Sequence, residues 1–472
     1  MAQTFFFYDL ETSGLNPRQD RIMQFAGQRT DMNLEPIGEP YNLLVTLNDD
    51  TLPSPDALMV TGITPQKTVE EGYTEAQFAR MLSEEIFTPD TIAVGFNNIR
   101  FDDEFIRHLL WRNFHDPYEW SWKDGRSRWD LLDVVRLTRA LRPEGVNWPL
   151  DAKGEPSNRL ELITSANDIA HENAHDALAD VTALIAVTKL IKQKQPQLYD
   201  YLLKMRDKKV VQQLVNVDDK KPFVYASGRY DKEFAKTTVA FPLTTSRNGG
   251  VVVYDLRYDP TPFVGLSVEE LSAKLFASWE ERQAEDFVKL PVKELQYNRC
   301  PAVAPLGVLE QGDGWQKISL DLATVQKHQD MLLKYPDFAE KLRGIFENKP
   351  AFKKLPDPEA QLYDGFLNDH DRLQVEAVRN ADERELTDFH PEFQDERLAP
   401  LLLHYKARNF PRSLSEDDLA QWEIWRAQYL QAQLPGFMAS LQRLAPTAAD
   451  KQQFILQELQ LWAESVLPVI DS

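Results

Sequence analysis

The chain has 472 residues, 43% of them hydrophobic and 11% aromatic, which is enough apolar material for two or three packed domains. Acidic residues outnumber basic ones by 74 to 53, and the net charge of −21 argues against indiscriminate coating of nucleic-acid duplexes. The single cysteine, Cys300, excludes an internal disulfide framework and suits a reducing cytosol. Since the sequence shows neither a secretion signal nor an apolar run of membrane-spanning length, we expect a cytoplasmic protein that does not bind membranes.

The first segment, to about residue 195, alternates patterns typical of strands and of helices. Strands are predicted over 4–10, 22–29, 43–47 and 91–96. Helices are predicted over 102–112, 131–141 and 177–193. Alternation of this kind indicates an α/β sheet with helices packed on its faces.

The pattern changes near Pro196. Short β-rich runs such as 250–255 follow, separated by turn residues, and predict a small barrel-like β domain with helical insertions. After Pro356 the pattern is helical and rich in Leu, Gln, Glu and Ala. We therefore predict three domains, with the boundaries 1–195, 196–350 and 351–472.

Two carboxylates, those of Asp9 and Glu11, follow an aromatic run that is typical of a buried strand. Because side chains alternate along a strand, both acids point to one face. Like charges held together at the end of an apolar strand repel one another and lose hydration, so they persist only where cations neutralise them. The pair therefore predicts a site for hard divalent ions such as Mg²⁺ or Mn²⁺.

Further candidate site residues follow other predicted elements. Asp102 and Asp103 lie where the strand over 91–96 leads into a helix. His175 precedes the last helix of the segment, and Asp180 lies five residues later, so the histidine can reach the site from a loop while the acid enters it from the helix. Taken singly, such residues also have ordinary structural interpretations, for example acids favoured by a helix N-terminus.

Together, the patterns Asp-x-Glu-Thr, Asn-x-x-Phe-Asp and His-x-x-x-x-Asp resemble the histidine-containing branch of the DEDD exonuclease superfamily. The resemblance implies an RNase H-like mixed sheet with flanking helices and hydrolysis of phosphodiesters with two metal ions. Asp9 is then expected to bind both ions, and Glu11 and Asp180 to complete the shell of the ion that holds the attacking water. Asp102 would serve the other ion, mainly through water, and His175 would take the proton from the attacking water. The product would be a nucleoside 5′-monophosphate.

Small residues beside the acids are expected to hold the frayed strand end, because they allow close approach of the backbone. A turn that resembles the family's contact with the terminal sugar and base follows later in the chain. The substrate-binding residues predicted here are Glu11, Thr12, Gly14, Val60 and Thr61.

Cations and aromatic rings alternate between residues 107 and 129, a pattern typical of sequence-tolerant binding of single strands. Some of these rings must belong to the core. Tyr118 and Trp122 are predicted to stack on bases, because they lie in a loop-like stretch with Pro117. The predicted phosphate ligands are Arg107, Arg136 and Arg159.

Three further strings, at 140–149, at 291–301 and at 361–366 with 407–411, are similar to the bacterial exodeoxyribonuclease I family. This resemblance covers nearly the whole chain. It implies an SH3-like β domain and a helical C-terminal domain that close with the nuclease domain over single-stranded DNA. It also implies processive 3′-to-5′ degradation by a monomer with two Mg²⁺ ions, for which Mn²⁺ can substitute, in DNA repair and recombination. The channel residues that it implies are Lys208, Lys293, Gln296, Asn298 and Tyr363.

The family resemblance implies a further partner, the acidic, Phe-ended tail of single-stranded-DNA-binding protein, which needs an apolar pocket ringed by cations. The segment 327–354 is rich in Lys and Arg and is the region considered for it. Two other functions stay open on the sequence alone: the same chemistry on RNA, and a binding module that keeps a nuclease-like domain. The choice of Asp102 over Asp103 rests on the resemblance, and Asp103 is the alternative ligand.

Overall fold

The computed structural model describes residues 2–171, 176–247, 249–349 and 354–467. The predicted proton acceptor His175 lies outside these described residues. The chain folds into two compact units. Unit 1 contains Met1–Ser127, His171–Ile185 and Lys353–Ser472, and unit 2 contains Arg128–Ala170 and Ala186–Phe352. The three domain boundaries predicted from the sequence stay a prediction.

In chain order, the strands are β1 (Thr4–Thr12), β2 (Ile22–Thr30), β3 (Tyr41–Leu44), β4 (Thr91–Gly95), β5 (Ser127–Asp130), β6 (Phe223–Ala226), β7 (Thr237–Thr245), β8 (Val251–Asp255), β9 (Val292–Leu295) and β10 (Ala302–Pro305).

The helices are α1 (Pro55–Thr61), α2 (Pro65–Glu71), α3 (Glu75–Met81), α4 (Asp102–Arg112), α5 (Leu131–Leu141), α6 (Leu160–Ala166), α7 (Ala177–Lys194), α8 (Pro196–Lys204), α9 (Lys208–Leu214), α10 (Thr261–Val264), α11 (Val268–Phe276), α12 (Gly314–Lys317), α13 (Leu322–Lys334), α14 (Pro336–Glu347), α15 (Asp369–Asn380), α16 (Glu383–Asp388), α17 (Leu398–Asn409), α18 (Glu416–Leu444) and α19 (Asp450–Val466). Short 3₁₀ turns include Asn98–Arg100, Glu119–Ser121 and Pro358–Gln361.

Most of the elements predicted for the first segment are confirmed, as β1, β2, β4, α4, α5 and α7. The strand predicted over 43–47 is shorter and earlier, because it ends at Leu44. Val45 still donates a backbone hydrogen bond of 2.9 Å to Met23 of β2, but it also forms an isolated parallel bridge with Tyr73. The hydrophobic run alone could not reveal this second partner.

The sheet of unit 1 has the order β3-β2-β1-β4, with β1 at its centre. β1 pairs antiparallel with β2 and parallel with β4, so the predicted mixed sheet is confirmed. Phe5, Phe6 and Phe7 are all fully buried. Since consecutive side chains of a strand point to opposite faces, both faces of β1 are covered. The acids at the end of this strand are therefore fixed by a rigid, fully packed element.

The helices near the C-terminus pack within the same unit. Leu430 of α18 and Leu459 and Trp462 of α19 form one buried cluster with Leu58 of α1. The Trp462 indole also donates a hydrogen bond of 2.9 Å to the carbonyl oxygen of Thr51. Residues far apart in the chain thus share one core in unit 1.

A buried ion-pair network centres on Glu359, in the 3₁₀ turn Pro358–Gln361. Nη2 of Arg21 lies 2.9 Å from its Oε2, and Nη1 of Arg408 lies 2.5 Å from its Oε1. Burial raises the pKa of Glu359, but the charges of the two arginines outweigh burial and hold the pKa well below its usual range. Glu359 is therefore a charged, fully paired part of the core.

Glu359 also forms a group with Asp357 and His404, whose oxygen and nitrogen atoms lie within 4.8 Å of one another. Such a group can resemble a metal centre. Here Arg21 and Arg408 already supply the positive charge, and Nδ1 of His404 lies 2.9 Å from Oε1 of Glu359. The group is an ion-pair cluster that holds unit 1 together.

Unit 2 contains an antiparallel sheet with the order β10-β6-β7-β8-β9. Its core includes Phe223, Tyr225, Val251, Val253 and Val303, all buried. Helices α11, α13 and α14 follow β8 in the chain and agree with the predicted helical insertions. The small β domain predicted after residue 196 is thus confirmed.

Within the described ranges, no helix is both long enough and apolar enough to cross a membrane.

Candidate active site

Three acids from two elements meet at one end of the sheet in unit 1. Asp9, Glu11 and Asp180 each offer a carboxylate oxygen, and these atoms lie within 4.8 Å of one another. The two acids of β1 share a face because they are two residues apart in an extended strand. Asp180 comes from the first turn of α7. The predicted convergence of these three carboxylates is therefore observed.

Burial and mutual repulsion both disfavour the charged form of these acids. Burial raises the pKa of Asp9 well above its usual range, and three neighbouring carboxylates raise it further, those of Asp102, Glu11 and Asp180. Burial also raises the pKa of Glu11 to about 8, followed in effect by the charges of Asp180 and Asp102. A cluster of oxygen donors with this much negative charge fits hard divalent cations such as Mg²⁺ or Mn²⁺.

Asp102 and Asp103, the first two residues of α4, have different surroundings. The Tyr8 hydroxyl donates a hydrogen bond to the carboxylate of Asp103, and Nδ2 of Asn98 donates to the same oxygen at 3.3 Å. Asp103 is fully buried. Asp102 is 5% exposed, and its charge is the strongest of those that raise the pKa of Asp9. Of the two acids, Asp102 is thus the one that acts electrostatically on the cluster.

A histidine that the sequence pattern did not select lies beside the cluster. Nε2 of His171 is 2.6 Å from Oδ1 of Asp180, and the histidine side chain is 4% exposed. His171 precedes the undescribed residues 172–175. His175 was predicted from the pattern His-x-x-x-x-Asp, which does not include His171.

The loop after β1 is shaped by a close contact at Gly14. A Cβ atom at this position would lie 2.4 Å from Oδ2 of Asp20, so a larger residue would displace that carboxylate. The Thr12 hydroxyl donates a hydrogen bond of 2.7 Å to the Gly14 carbonyl oxygen. Val60 and Thr61 end α1, and Val60 is 57% exposed.

The predicted mixture of core and surface rings between 107 and 129 is present. Trp111, Trp120 and Trp129 are 5%, 5% and 1% exposed and belong to the core. Trp122 is 64% exposed, as expected for a ring that stacks on a ligand. The two classes cannot be separated by spacing, because both kinds of tryptophan occur beside cations.

Arg107, Tyr118 and Tyr363, predicted as separate contacts, form one group in unit 1. Nη1 of Arg107 lies 3.4 Å from the Tyr363 hydroxyl oxygen, and the guanidinium lies 5.7 Å from the centre of the Tyr118 ring. Glu104 accepts a hydrogen bond from the Tyr363 hydroxyl and pairs with Arg107 at 2.9 Å. Phe366, which is 84% exposed, lies 6.1 Å from the Tyr118 ring. A cation, an acid and three rings thus form one cluster, in which the Phe366 ring is largely exposed.

The remaining predicted contacts belong to unit 2. The Lys293 ammonium lies 4.2 Å from the centre of the Tyr225 ring and donates a hydrogen bond to the Ser227 hydroxyl. Asn298 is exposed, and its carbonyl oxygen accepts a hydrogen bond of 3.0 Å from Arg128. The other predicted contacts lie on this unit as well, at Arg136, Arg159, Lys208 and Gln296.

Two of these cations have acidic partners. Nη1 of Arg136 lies 2.5 Å from Asp133, and Arg159 pairs with Glu161. Arg159 is nevertheless 67% exposed, and Lys208 is exposed at the start of α9. The acidic partners reduce the net charge of this surface, so any phosphate contact there competes with an existing ion pair.

Three family models match consecutive parts of the chain. They are "Exonuclease" over residues 6–188, "Exonuclease I SH3-like domain" over 206–348 and "Exonuclease I C-terminal domain" over 356–466. The exodeoxyribonuclease I of Haemophilus influenzae is 40% identical over 453 residues, which cover 95% of each chain. The chain belongs to the exodeoxyribonuclease I family. The family resemblance predicted from the sequence is therefore confirmed.

Other members of the exodeoxyribonuclease I family agree in sequence and in structure. The Escherichia coli protein is 39% identical over 462 residues, 97% of each chain. A zinc-bound crystal structure of the E. coli exonuclease I complex with single-stranded DNA superposes with a TM-score of 0.94 at 38% identity and covers 99% of this chain and 100% of that one. The chain is an exonuclease, and its predicted nuclease, SH3-like and helical C-terminal parts are confirmed.

The residues that the sequence pattern did not indicate have side chains near predicted ones. His171 contacts Asp180, and Glu104 and Phe366 surround Tyr363 and Tyr118. Phe366 is the last residue of the string over 361–366. The string itself indicated the family, but it did not indicate that the Phe366 ring is exposed.

Proposed function

We propose that this member of the exodeoxyribonuclease I family hydrolyses single-stranded DNA from its 3′ end and releases nucleoside 5′-monophosphates. The observation that carries the proposal is the convergence of Asp9, Glu11 and Asp180 within 4.8 Å. The E. coli relative with single-stranded DNA and zinc supports the choice of ligand class. The site residues below are part of this proposal.

The carboxylates of Asp9, Glu11, Asp102 and Asp180 would hold two Mg²⁺ ions, for which Mn²⁺ can substitute. When bound, such ions supply positive charge at the phosphate and lower the pKa of a water molecule. We assign the fourth ligand to Asp102, because the Asp103 carboxylate accepts hydrogen bonds from Tyr8 and Asn98. Asp103 then fixes α4 against β1, and its neighbour faces the cluster.

We assign to His175 the role of accepting the proton from the attacking water, because of its spacing from Asp180. An imidazole suits this role, since its ordinary pKa of about 6.5 lets it accept a proton near neutral pH. The acids of β1 and α7 are proposed to orient the scissile phosphate relative to His175. Thr12, Gly14, Val60 and Thr61 are proposed to hold the terminal nucleotide, since small residues allow close approach of the backbone.

The strand that leads to the site is proposed to contact two groups of residues. In unit 1, Arg107, Tyr118, Trp122 and Tyr363 offer a cation and rings, which bind bases without regard to sequence. In unit 2, the contacts are Arg136, Arg159, Lys208, Lys293, Gln296 and Asn298. Enclosure of the strand by domains with the boundaries 1–195, 196–350 and 351–472 would retain DNA on an acidic protein during many cycles.

Digestion of a 3′-labelled single-stranded oligonucleotide with Mg²⁺ tests this function. The labelled mononucleotide is expected as the first product, and Asp9→Asn should lower the rate by about 10²–10³-fold or more. Asp388→Asn, at an exposed residue of α16, is the matched control and should keep full activity. A wild-type protein that leaves the oligonucleotide intact would contradict the proposal.

Two rival functions are separated by the same assay. An RNA oligomer of equal sequence, digested side by side, measures discrimination against the 2′-hydroxyl. Equal or faster digestion of RNA would assign the enzyme to RNA. Metal-independent binding without turnover would indicate a binding module instead.

We also propose that the protein acts in the cytoplasm as a monomer in DNA repair and recombination, and that the tail of single-stranded-DNA-binding protein recruits it. The tail needs exposed cations around an apolar pocket. In the segment considered for it, Lys341 and Lys349 pair with Asp337 and Glu294. A competing tail carboxylate would have to replace these acids. Fluorescence anisotropy with a labelled acidic peptide ending in Phe measures this binding.

A further inference from the structure

His171 faces the acid cluster from a nearly buried position. Its Nε2 lies 2.6 Å from Oδ1 of Asp180, and the side chains are 4% and 18% exposed. At this distance the two atoms share a hydrogen bond, which an imidazole N–H at Nε2 can donate to the carboxylate oxygen. The acceptor is one of the three acids that converge with Asp9 and Glu11. The contact therefore links an imidazole to the charge cluster.

Asp180 needs such a donor more than the acids of β1 do. The backbones of Asp9 and Glu11 are fixed in the centre of a sheet, whereas Asp180 lies in the first turn of a helix. Its carboxylate is close to two like charges, and repulsion favours rotamers that point away from them. A hydrogen bond to one carboxylate oxygen opposes this rotation.

We propose that His171 is a positioning residue that holds the Asp180 carboxylate within the metal-binding cluster. The proposal rests on the proposed metal-dependent exonuclease function and deepens it. His171 acts through Asp180 and differs in role from the proton acceptor assigned to His175. A general base must accept a proton from water, whereas the Nε2 proton of His171 is donated to a carboxylate.

The consequence concerns the affinity for metal ions. A ligand that is already oriented loses less freedom when the ion binds, and donors that orient ligands in this way contribute about 10–100-fold to metal affinity. Loss of the His171 donor should therefore weaken metal binding. At saturating metal, kcat should return to near the wild-type value, and the KM for DNA should stay unchanged.

The test compares His171→Phe, which keeps a ring but removes the donor, with the wild-type protein. Calorimetric titration of the full chain with Mn²⁺ in the absence of DNA should give a dissociation constant that is about 10–100-fold higher for the variant. The metal concentration for half-maximal hydrolysis should shift by a similar factor. An unchanged Mn²⁺ affinity would overturn the proposal.

Further variants keep the test decisive. His171→Gln retains an N–H donor and should recover most of the Mn²⁺ affinity, and failure to do so would overturn the hydrogen-bond argument. His171→Ala repeats the titration without a ring, in case Phe disturbs folding. His390→Phe, at an exposed histidine, is the matched control and should bind Mn²⁺ as the wild type does.

The outcomes also separate this inference from the proposed function. If kcat of His171→Phe stays low at saturating metal while Mn²⁺ binding is normal, His171 acts on the reaction itself and the positioning role is wrong. If the wild type binds Mn²⁺ but hydrolyses no DNA, the proposed function fails. The comparison of Mn²⁺ affinities then still decides the role of His171.

Discussion

The Tyr8 hydroxyl donates a hydrogen bond to the carboxylate of Asp103, which lies 95 residues further along the chain. Burial and the charges of Asp103 and Asp102 raise the pKa of Tyr8 well above its usual range, so the hydroxyl keeps its proton and remains a donor. This bond ties α4 to the central strand of the sheet. The two adjacent acids therefore differ in role: Asp103 anchors α4 to β1, and Asp102 acts on the acid cluster.

The first prediction compares these neighbours. Asp102→Asn should lower kcat by about 10²–10³-fold, because a proposed metal ligand is lost. Asp103→Asn should cost about 1–3 kcal/mol of stability, because it weakens a buried hydrogen bond to Tyr8. Steady-state kinetics and urea unfolding measure the two effects. The reverse pattern would assign the metal ligand to Asp103.

The second prediction concerns charge repulsion in the metal-free protein. The pKa of Glu11 is raised to about 8, above its unfolded value of about 4.3, so this group lowers stability progressively as the pH rises between these values. Glu11→Gln should therefore raise the melting temperature at pH 7 by a few degrees, about 2–4 °C per kcal/mol. It should also abolish hydrolysis.

Differential scanning calorimetry in a chelating buffer checks this effect. Glu396→Gln, at a side chain that is 90% exposed, is the control and should leave the melting temperature unchanged. Added Mg²⁺ should stabilise the wild type more than Glu11→Gln, because the ion neutralises the same repulsion. A lower melting temperature for the metal-free variant would count against the cluster.

The third prediction concerns acid stability. Glu359 has a folded pKa below its unfolded value of about 4.3, so its stabilising effect is complete above that value and is lost as the pH falls through the folded pKa. Glu359→Gln should cost about 3–5 kcal/mol at pH 7, because Arg21 and Arg408 lose a buried partner. The stability of the variant should also depend less on pH below about 4.3.

Urea unfolding at several pH values measures both parts of this prediction. An exposed pair is the comparison: Glu340→Gln, whose partner is Arg343, should change stability by less than about 1 kcal/mol. Equal losses in the two variants would show that burial of the Glu359 network adds nothing.

The fourth prediction concerns Phe366. Replacement by Ala should weaken binding of a single-stranded oligonucleotide by about 1–3 kcal/mol, because one stacking surface is lost beside Tyr118. Fluorescence anisotropy in a chelating buffer measures binding without cleavage. Phe454→Ala, at a ring that is 55% exposed on α19, should bind as the wild type does. Equal affinities for all three proteins would exclude Phe366 from the DNA contact.

The sequence pattern around a single strand or helix was sufficient to predict the site residues that lie on that strand or helix. The aromatic run before Asp9 predicted a buried strand, and alternation then put Glu11 on the same face. Asp180 was predicted from its spacing to His175, and its position in the first turn of α7 agrees with that pattern.

Contacts that depend on tertiary folding could not be predicted. Nothing in the order of Asp102 and Asp103 shows which one meets Tyr8, because adjacent residues of a helix differ in direction by about 100° and either direction can face the sheet. The sequence does not show that His171 reaches Asp180, because the two side chains meet only in the folded protein. The exposure of Phe366 depends on which neighbours cover it.

The pairing of Arg21 with Glu359 spans 338 positions of the chain and lies near the loop that follows β1. Removal of the chain from residue 359 onward would take away the partner that lies 2.9 Å from Arg21 and leave this buried arginine with Asp50 at 3.8 Å. The N-terminal segment is therefore not a portable module. Gene fragments or chimaeras that end before residue 359 should yield insoluble product, and co-expression of both fragments should restore it.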